Sequence, residues 1–225
     1  MAELSLTDLT TNRTLSPEMA ALLAAAAEER RSLLMVAIPR MAGKSTVMEA
    51  VLDHRAPDVP RYDLGTRHGD SLGIPDTSEP TGYLAWSEIA SRPVTDSYMW
   101  GADVRQAFAA ALADGHSIAT ALHADGIESA FAVIAENEVT DEQASLIDVV
   151  AYIRSIGEWD NPTRRAIESL YEVDRVEAGR PVARLLDRWD EASDTFEVVA
   201  EPSLVSREAY DRKLAQFAEG AGEPA

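Results

Sequence analysis

The sequence predicts an α/β fold, in which a sheet flanked by helices continues into an antiparallel strand extension in the C-terminal part. Short apolar segments alternate with segments of helical periodicity up to residue 145, a pattern typical of folds built on a parallel sheet. From there on, strand-like segments follow one another with only turn residues between them, which indicates antiparallel strands. The 225 residues, 46% of them hydrophobic, are enough for one sizeable domain.

The predicted elements of the first part begin after a polar, threonine-rich stretch at 1–15, which we expect to form a flexible N-terminus. Ser16 and Pro17 are typical of a helix start, and the alanine-rich sequence up to residue 31 favours that helix. The apolar run at 32–38 predicts a buried parallel strand. The further predicted elements are a helix at 44–54, loop over most of 55–81 with a short strand at 59–64, a strand at 83–86, loop at 91–98, a helix at 99–114, a strand at 116–123, and helices at 125–136 and from 141.

The C-terminal part contains the predicted antiparallel strands. Residues 147–153 are rich in β-branched side chains and predict a strand, although the pattern alone leaves a helix as an alternative. Turn residues separate the further strands, which are predicted at 163–173, 182–189 and 195–200. We expect a core domain at 16–200, a C-terminal helix at 201–218 and a disordered tail at 219–225.

The composition argues against several classes of function. The formal net charge of −19, from 39 acidic and 20 basic residues, argues against nucleic-acid binding and against docking on anionic lipid through a basic patch. The absence of cysteine excludes disulfides and thiolate metal sites. No apolar run approaches the roughly 20 residues that a membrane-spanning helix needs, and the N-terminus lacks the pattern of a signal peptide. We therefore expect a cytoplasmic protein.

The sequence GKST at 43–46 is the end of a phosphate-binding loop, and it lies between a predicted strand and a predicted helix. Backbone N–H groups at a helix N-terminus form a cradle for anions, in which Lys44 can reach the β- and γ-phosphates and the Ser45 hydroxyl can hold Mg²⁺. Ile38 and Met41 stand where such loops carry glycine, which allows positive φ and a close approach of the backbone. The alternative is a helix start that binds no ligand.

A nucleotide-hydrolysing site also needs a carboxylate that organises water or metal. Glu88 follows the predicted strand at 83–86 and is the candidate, the alternative being a solvated residue at a strand end. His116 and His123 bracket another predicted strand. Seven residues apart, they point to opposite faces, so that we do not expect them to share a metal ion. A single histidine at a strand end is more often a structural group than a catalyst.

Several segments match one protein family in order and spacing. The loop IPRMAGKST at 38–46 is similar to G-P-T-G-S-G-K-S-T, and YLAWSEI at 83–89 is similar to a Walker B segment with Glu88 in the glutamate position. The other matches are RQAFAAALADGH at 105–116 and ATALH at 119–123, which are similar to a helix and the His box T-G-H…T-L-H, and TRRAIESLYEV at 163–173, which is similar to the strand R-R-V-x-E-I-x-E-V. Over roughly residues 17–200 the chain resembles the ATPase core of the type II/type IV secretion and type IV pilus motors, the hexameric traffic ATPases.

The resemblance implies a P-loop NTPase fold with a RecA-like sheet, and ATP and Mg²⁺ as ligands. It assigns to Glu88 the positioning of the attacking water or of the metal, with Ser45 as the other metal ligand. It makes His116 and His123 sensors or structural links between the nucleotide and a subunit interface. The residues that it implies in nucleotide binding are Pro39, Arg40, Met41, Ala42, Gly43, Lys44, Ser45 and Thr46.

The resemblance also implies partners. It indicates a hexamer, or a hetero-oligomer with a full-length paralogue, that couples ATP hydrolysis to a secretion or pilus platform at the inner face of the membrane, without nucleic acid. The chain lacks the Arg-Asp that follows the Walker B glutamate, and only Asp63 is a candidate for the family's Asp box. We expect the N-terminal domain that supplies arginines to a neighbouring nucleotide to be absent. The alternative function is a catalytically degenerate paralogue that acts as a regulatory or interaction subunit. A small-molecule P-loop kinase is a third, which would need a substrate lid.

Overall fold

The computed structural model describes residues 4–38, 41–65, 72–95, 97–158 and 161–220. Over these residues the chain forms one ten-stranded sheet with helices packed on both faces. In chain order the strands are β1 (Leu33–Val36), β2 (Arg61–Asp63), β3 (Tyr83–Ala85), β4 (Glu88–Ile89), β5 (Tyr98–Met99), β6 (Ser117–Leu122), β7 (Val149–Glu158), β8 (Asn161–Glu177), β9 (Arg180–Asp190) and β10 (Thr195–Val198). The helices are α1 (Leu6–Thr11), α2 (Pro17–Glu28), α3 (Lys44–Leu52), α4 (Ala102–Asp114), α5 (Ile127–Glu136), α6 (Asp141–Ala144) and α7 (Arg207–Gly220).

The parallel part of the sheet has the strand order β7-β1-β6-β3-β2, and the short strand β4 pairs with β6. β1 lies between β6 and β7, with Leu33 opposite Ala119 on one side and Val149 on the other. All four residues of β1 are buried, as expected of a central strand that helices cover on both sides. The carboxyl ends of these parallel strands meet at one edge of the sheet, which is where ligands bind in open α/β sheets.

Beyond β7 the sheet continues with antiparallel strands in the order β7-β8-β9-β10. The predicted α/β fold with an antiparallel C-terminal extension is therefore confirmed, and the segment at 147–153 enters a strand rather than the alternative helix. β8, with 17 residues, extends well past the predicted 163–173. The reason is that pairing with β7 and β9 gives hydrogen-bond partners to the backbone N–H and C=O groups of its polar, partly exposed residues as well.

Alternate side chains of β1 serve the two faces of the sheet. Leu33 and Met35 join an apolar cluster with α1, α2, α3 and α7, whereas Leu34 and Val36 join a cluster with α4, α5 and α6. α2 is the most deeply buried helix of the first cluster, and it begins as predicted, with the Ser16 side chain accepting the Met19 N–H at 3.1 Å. The first cluster therefore fixes the position of α3 against the sheet.

The N-terminal segment differs from the flexible stretch expected over the first fifteen residues. α1 forms there, with a reciprocal capping box: the Ser5 side chain accepts the Asp8 N–H at 3.1 Å, and the Asp8 carboxylate accepts the Ser5 N–H at 2.8 Å. Leu6, Leu9 and Leu15 are buried in the cluster that contains α2. Their burial is the physical reason for the ordered segment, since each leucine contributes on the order of 2 kcal/mol when it leaves water.

Smaller differences concern the ends of predicted segments. β5 forms at the edge of the stretch 91–98 that was predicted as loop. α7 extends to Gly220, so that it enters the predicted disordered tail, whose residues 221–225 lie outside the described part of the chain. Within the described residues, no helix combines the length and the apolar character that a membrane crossing requires.

Candidate functional site

The loop between β1 and α3 ends in a helix N-terminus that no side chain caps. Gly43 is the N-cap of α3 and has a φ of 100°, a left-handed conformation that favours glycine. Gly43 has no side chain that could cap α3, so the first turn, which includes Ser45 and Thr46, presents backbone N–H groups at the positive end of the helix dipole, where an anion can bind. The order of strand, loop and helix expected around 43–46 is present. Pro39 and Arg40, two of the predicted site residues, lie outside the described residues.

The two residues that replace glycine in this loop differ in backbone conformation. Met41 has a φ of 63°, so it holds the left-handed conformation that a glycine would adopt without strain. Ile38 is not among the described residues with positive φ, so this position does not require glycine for its backbone conformation. Both side chains are exposed, Met41 by 64%. The cost of the missing glycines therefore falls on Met41.

Three of the predicted site residues, Lys44, Glu88 and His123, come together at the carboxyl edge of the sheet. Lys44 Nζ lies 3.3 Å from Glu88 Oε1 and 3.5 Å from His123 Nδ1. His123 Nε2 lies 2.9 Å from Glu88 Oε2. The topology explains this meeting, because β1 leads into the loop, β6 ends immediately before His123, and β4, which begins at Glu88, pairs with β6. The Lys44 side chain is only 4% exposed, so the charges interact with little screening by water.

The surroundings of Glu88 keep its carboxylate ionised. Burial acts to raise the pKa of Glu88, but the His123 ring and the charge of Lys44 outweigh it and lower the pKa below its usual value. Glu88 Oε2 receives no well-aligned hydrogen bond among the described residues, although His123 Nε2 is close. His123 and Lys44 thus approach the Glu88 carboxylate from two sides and fix its position. An ionised carboxylate at this point can accept a proton or orient a water molecule.

His123 connects the Glu88 carboxylate to the loop that precedes α3. Its Nδ1 donates to the Ile38 carbonyl oxygen at 2.8 Å, while its Nε2 faces Glu88 and lies 3.4 Å from the Tyr98 hydroxyl. A movement of the Ile38 carbonyl group would therefore shift the His123 ring, and with it the contact of the ring with Glu88. This placement agrees with a role as a link to the nucleotide, and that role stays a prediction.

His116 is not part of this cluster. It precedes β6, at the amino end of the parallel strands, where it is 5% exposed and its Nδ1 accepts the Gly82 N–H at 3.1 Å. Its ring packs edge-on against Tyr62, with centroids 5.7 Å apart. The strand separates His116 from His123 by its whole length, because one residue precedes β6 and the other follows it. These contacts of His116, with Gly82 and Tyr62, fit the structural alternative.

A cavity of about 580 Å³ opens over the loop. Its floor consists of residues 41–47 and Glu88, and its other walls come from elements that sequence reasoning did not assign to the site. One wall is the N-terminal segment, through Leu4, Leu9, Asn12 and Thr14. The other is the start of β8 at 162–165, where Arg165 Nε donates to the Met41 carbonyl oxygen at 3.2 Å. The pair Arg164-Arg165 was visible in the resemblance to a family strand, but nothing local indicated that it reaches the loop.

The described part of the cavity could hold a hard cation such as Mg²⁺ only if a bound phosphate supplied further oxygen ligands. Ser45 is exposed at the start of α3 and lines the cavity. Within the described residues, no group of three or more His, Cys, Asp or Glu side chains is placed to hold a metal ion. Mg²⁺ is commonly bound by one or two protein oxygens and substrate phosphates, so Ser45 fits such a site. The Glu88 oxygens face Lys44 and His123, an arrangement that suits a cation less. Asp63 lies outside the cavity and pairs with Arg61 at 2.7 Å.

Comparison with known proteins finds similarity among solved structures. No family model and no curated protein matches the chain. Among solved structures, the chain is similar to the crystal structure of the VirB11 ATPase from the Brucella suis type IV secretion system in complex with sulphate, with 20% sequence identity and a TM-score of 0.48. The match covers 69% of this chain and 52% of that one, so it spans about half the length of the solved protein. At that score the similarity decides neither fold nor function, which rest on the geometry of this chain.

Proposed function

We propose that the chain binds ATP with Mg²⁺ at the loop before α3 and hydrolyses the nucleotide. The observation that carries this proposal is the convergence of Lys44 and Glu88, 3.3 Å apart, beside the uncapped N-terminus of α3. A buried ammonium, a row of backbone N–H groups and an ionised carboxylate are the groups that phosphoryl transfer to water needs. In a chain of net charge −19, this concentration of donors gives a polyphosphate a local site.

The phosphates and Glu88 compete for Lys44. Lys44 Nζ contacts Glu88 Oε1 in this structure, and a β- or γ-phosphate in the cradle attracts the same ammonium more strongly because it carries more charge. Transfer of Lys44 to the phosphates leaves Glu88 paired with His123 alone. The carboxylate then orients the attacking water. Ser45 would hold Mg²⁺ together with the phosphates, and the ion would supply positive charge to offset the charge of the leaving group.

The cellular role follows from the resemblance of the motifs. We place the chain with the secretion and pilus motors, in which a cytoplasmic oligomer couples ATP hydrolysis to a membrane platform. The spacing of the loop, Glu88 and His123 along the chain supports this assignment. The observation that favours the alternative, a degenerate regulatory paralogue, is the left-handed Met41 in the loop. The alternative requires binding without turnover, so a hydrolysis assay separates the two.

Binding is tested by isothermal titration with a non-hydrolysable ATP analogue and Mg²⁺. We expect wild-type protein to bind and Lys44→Ala to bind at least about tenfold more weakly, because a hydrogen bond to a charged group contributes roughly 1.5–3 kcal/mol. Lys213→Ala is the matched control, since Lys213 of α7 pairs with Glu28 at the end of α2 and lies outside the cavity. Absence of heat with the wild type, or equal affinity in Lys44→Ala, contradicts the proposal.

A further inference from the structure

The geometry points to Arg165 as a phosphate-contacting arginine that the chain supplies to its own nucleotide site. This inference rests on the proposed function, because it assigns a further residue to the same cavity. Arg165 lies in β8, opposite Ser155 of β7, and therefore enters the site through the antiparallel extension rather than through the loop. Sequence spacing places it more than a hundred residues after Lys44.

The Arg165 side chain lies directly over the cradle. Its Nε donates to the Met41 carbonyl oxygen at 3.2 Å, and a Cβ placed on Gly43 would lie 3.3 Å from Arg165 Cδ. The aliphatic part of the side chain therefore covers the N-cap of α3, where a larger residue than glycine would push it away. The guanidinium reaches the cavity that Lys44 and Ser45 line.

Among the described residues, no ion pair involves the charge of Arg165. No carboxylate lies within ion-pair distance of Arg165 in the described parts of the chain, although the protein has 39 acidic residues. Its neighbour Arg164 differs: it pairs with Asp194 at 2.6 Å and stacks over the Trp189 ring at 5.3 Å. Guanidinium carries five N–H donors, and Met41 takes one of those of Arg165. The remaining donors can bind a phosphate in a bidentate manner.

Two consequences follow for the site. Arg165 holds the carbonyl of a residue in a left-handed conformation, and so stabilises the loop where glycine is missing. Arg165 also adds a second positive charge to the cavity that Lys44 lines. This charge should favour a nucleoside triphosphate over a monophosphate, because the triphosphate carries more negative charge.

The test is a titration series with AMP, ADP and a non-hydrolysable ATP analogue, each with Mg²⁺, on five forms of the full chain. The forms are the wild type, Lys44→Ala, Arg165→Gln, Arg165→Lys and Arg188→Gln. Arg188 is the matched control, because it is an exposed arginine on the neighbouring strand and pairs with Glu197 at 2.6 Å. Thermal unfolding of each form shows whether it is folded, and Arg165→Lys keeps the positive charge if the glutamine variant does not fold.

We expect Arg165→Gln to weaken binding of the ATP analogue about 10- to 100-fold and binding of AMP by less than about threefold. Arg165→Lys should recover part of the loss, and Arg188→Gln should bind like the wild type. Equal weakening for AMP and the ATP analogue would show that Arg165 only positions the loop, and it overturns the phosphate contact. Wild-type affinity in Arg165→Gln, with binding lost in Lys44→Ala, overturns the role of Arg165 while the proposed function stands. No binding by the wild type overturns both.

Discussion

Replacement of Asp187 by asparagine should make the protein more stable above neutral pH. Asp187 lies in β9 and is 5% exposed, and its Oδ1 has no hydrogen-bond partner among the residues that the structure describes. Burial, with a contribution from the Glu18 carboxylate, raises the pKa of Asp187 from 3.8 to about 7. The same buried region raises the pKa of Tyr210 to about 12, through burial first and the Asp187 charge second.

The magnitude follows from the pKa of Asp187. A rise of about 3 units corresponds to on the order of 4 kcal/mol, at 1.36 kcal/mol for each unit. Below about pH 4 both the folded and the unfolded states hold the proton, and the carboxyl group costs nothing extra. As the pH rises from about 4 to about 7, the unfolded state releases the proton first, so the free energy of unfolding falls. Above about pH 7 the free energy of unfolding is lower by the full amount of about 4 kcal/mol.

The assay is urea unfolding followed by circular dichroism at about pH 4.5, 6 and 8. We expect Asp187→Asn to exceed the free energy of unfolding of the wild type by only about 1 kcal/mol at the lowest pH and by up to about 4 kcal/mol at the highest. Asp58→Asn, a change at an exposed aspartate, should leave the pH dependence of the wild type unaltered. Equal pH dependence in Asp187→Asn and the wild type, or a less stable variant at about pH 8, refutes the reasoning.

Three further outcomes are expected. Met41→Gly should stabilise the protein by up to about 1 kcal/mol in urea unfolding. A left-handed non-glycine residue costs about 1–2 kcal/mol, and the added freedom that glycine gives the unfolded chain offsets part of this gain. Ala178→Gly, at another exposed position of positive φ, should stabilise the protein to a similar extent without changing nucleotide affinity. His123→Ala should raise the pKa of Glu88, because it removes a group that lowers it, and should move the acidic limb of the pH profile of ATP hydrolysis to higher pH; an unmoved limb would separate His123 from Glu88. Ser16→Ala should lower the free energy of unfolding by about 1 kcal/mol, since it removes the acceptor of the Met19 N–H, and no loss would show that the α2 cap is dispensable.

The residues that the sequence located well are those whose position depends on local order along the chain. Lys44 begins α3 after β1, Glu88 follows β3, and His123 follows β6, so that each comes after a strand that its own neighbourhood predicts. Parallel strands then bring their carboxyl ends together, which is why the three side chains meet without any contact being visible in the sequence. The same rule places His116 at the opposite end, since it precedes its strand.

The parts that the sequence did not locate depend on pairing between distant segments. Arg165 reaches the loop because β8 pairs with β7, and β7 with β1, and no local pattern carries that information. α1 has six residues, too few for a helical period to be recognised, although Ser5 and Asp8 have the spacing of a capping box. The burial of Asp187 depends on the helices packed over β9. Long-range packing, not local propensity, decided these features.

Steady-state ATP hydrolysis, measured as phosphate release with Mg²⁺ at rising protein concentration, tests the central claim most directly. We expect slow hydrolysis by the wild type, a rate for each chain that rises as subunits assemble, and no hydrolysis in Glu88→Gln even though this variant still binds the ATP analogue. Hydrolysis in Glu88→Gln at the wild-type rate, or wild-type phosphate release no greater than that of Lys44→Ala, would contradict the claim that this chain turns over ATP at the Lys44 and Glu88 site.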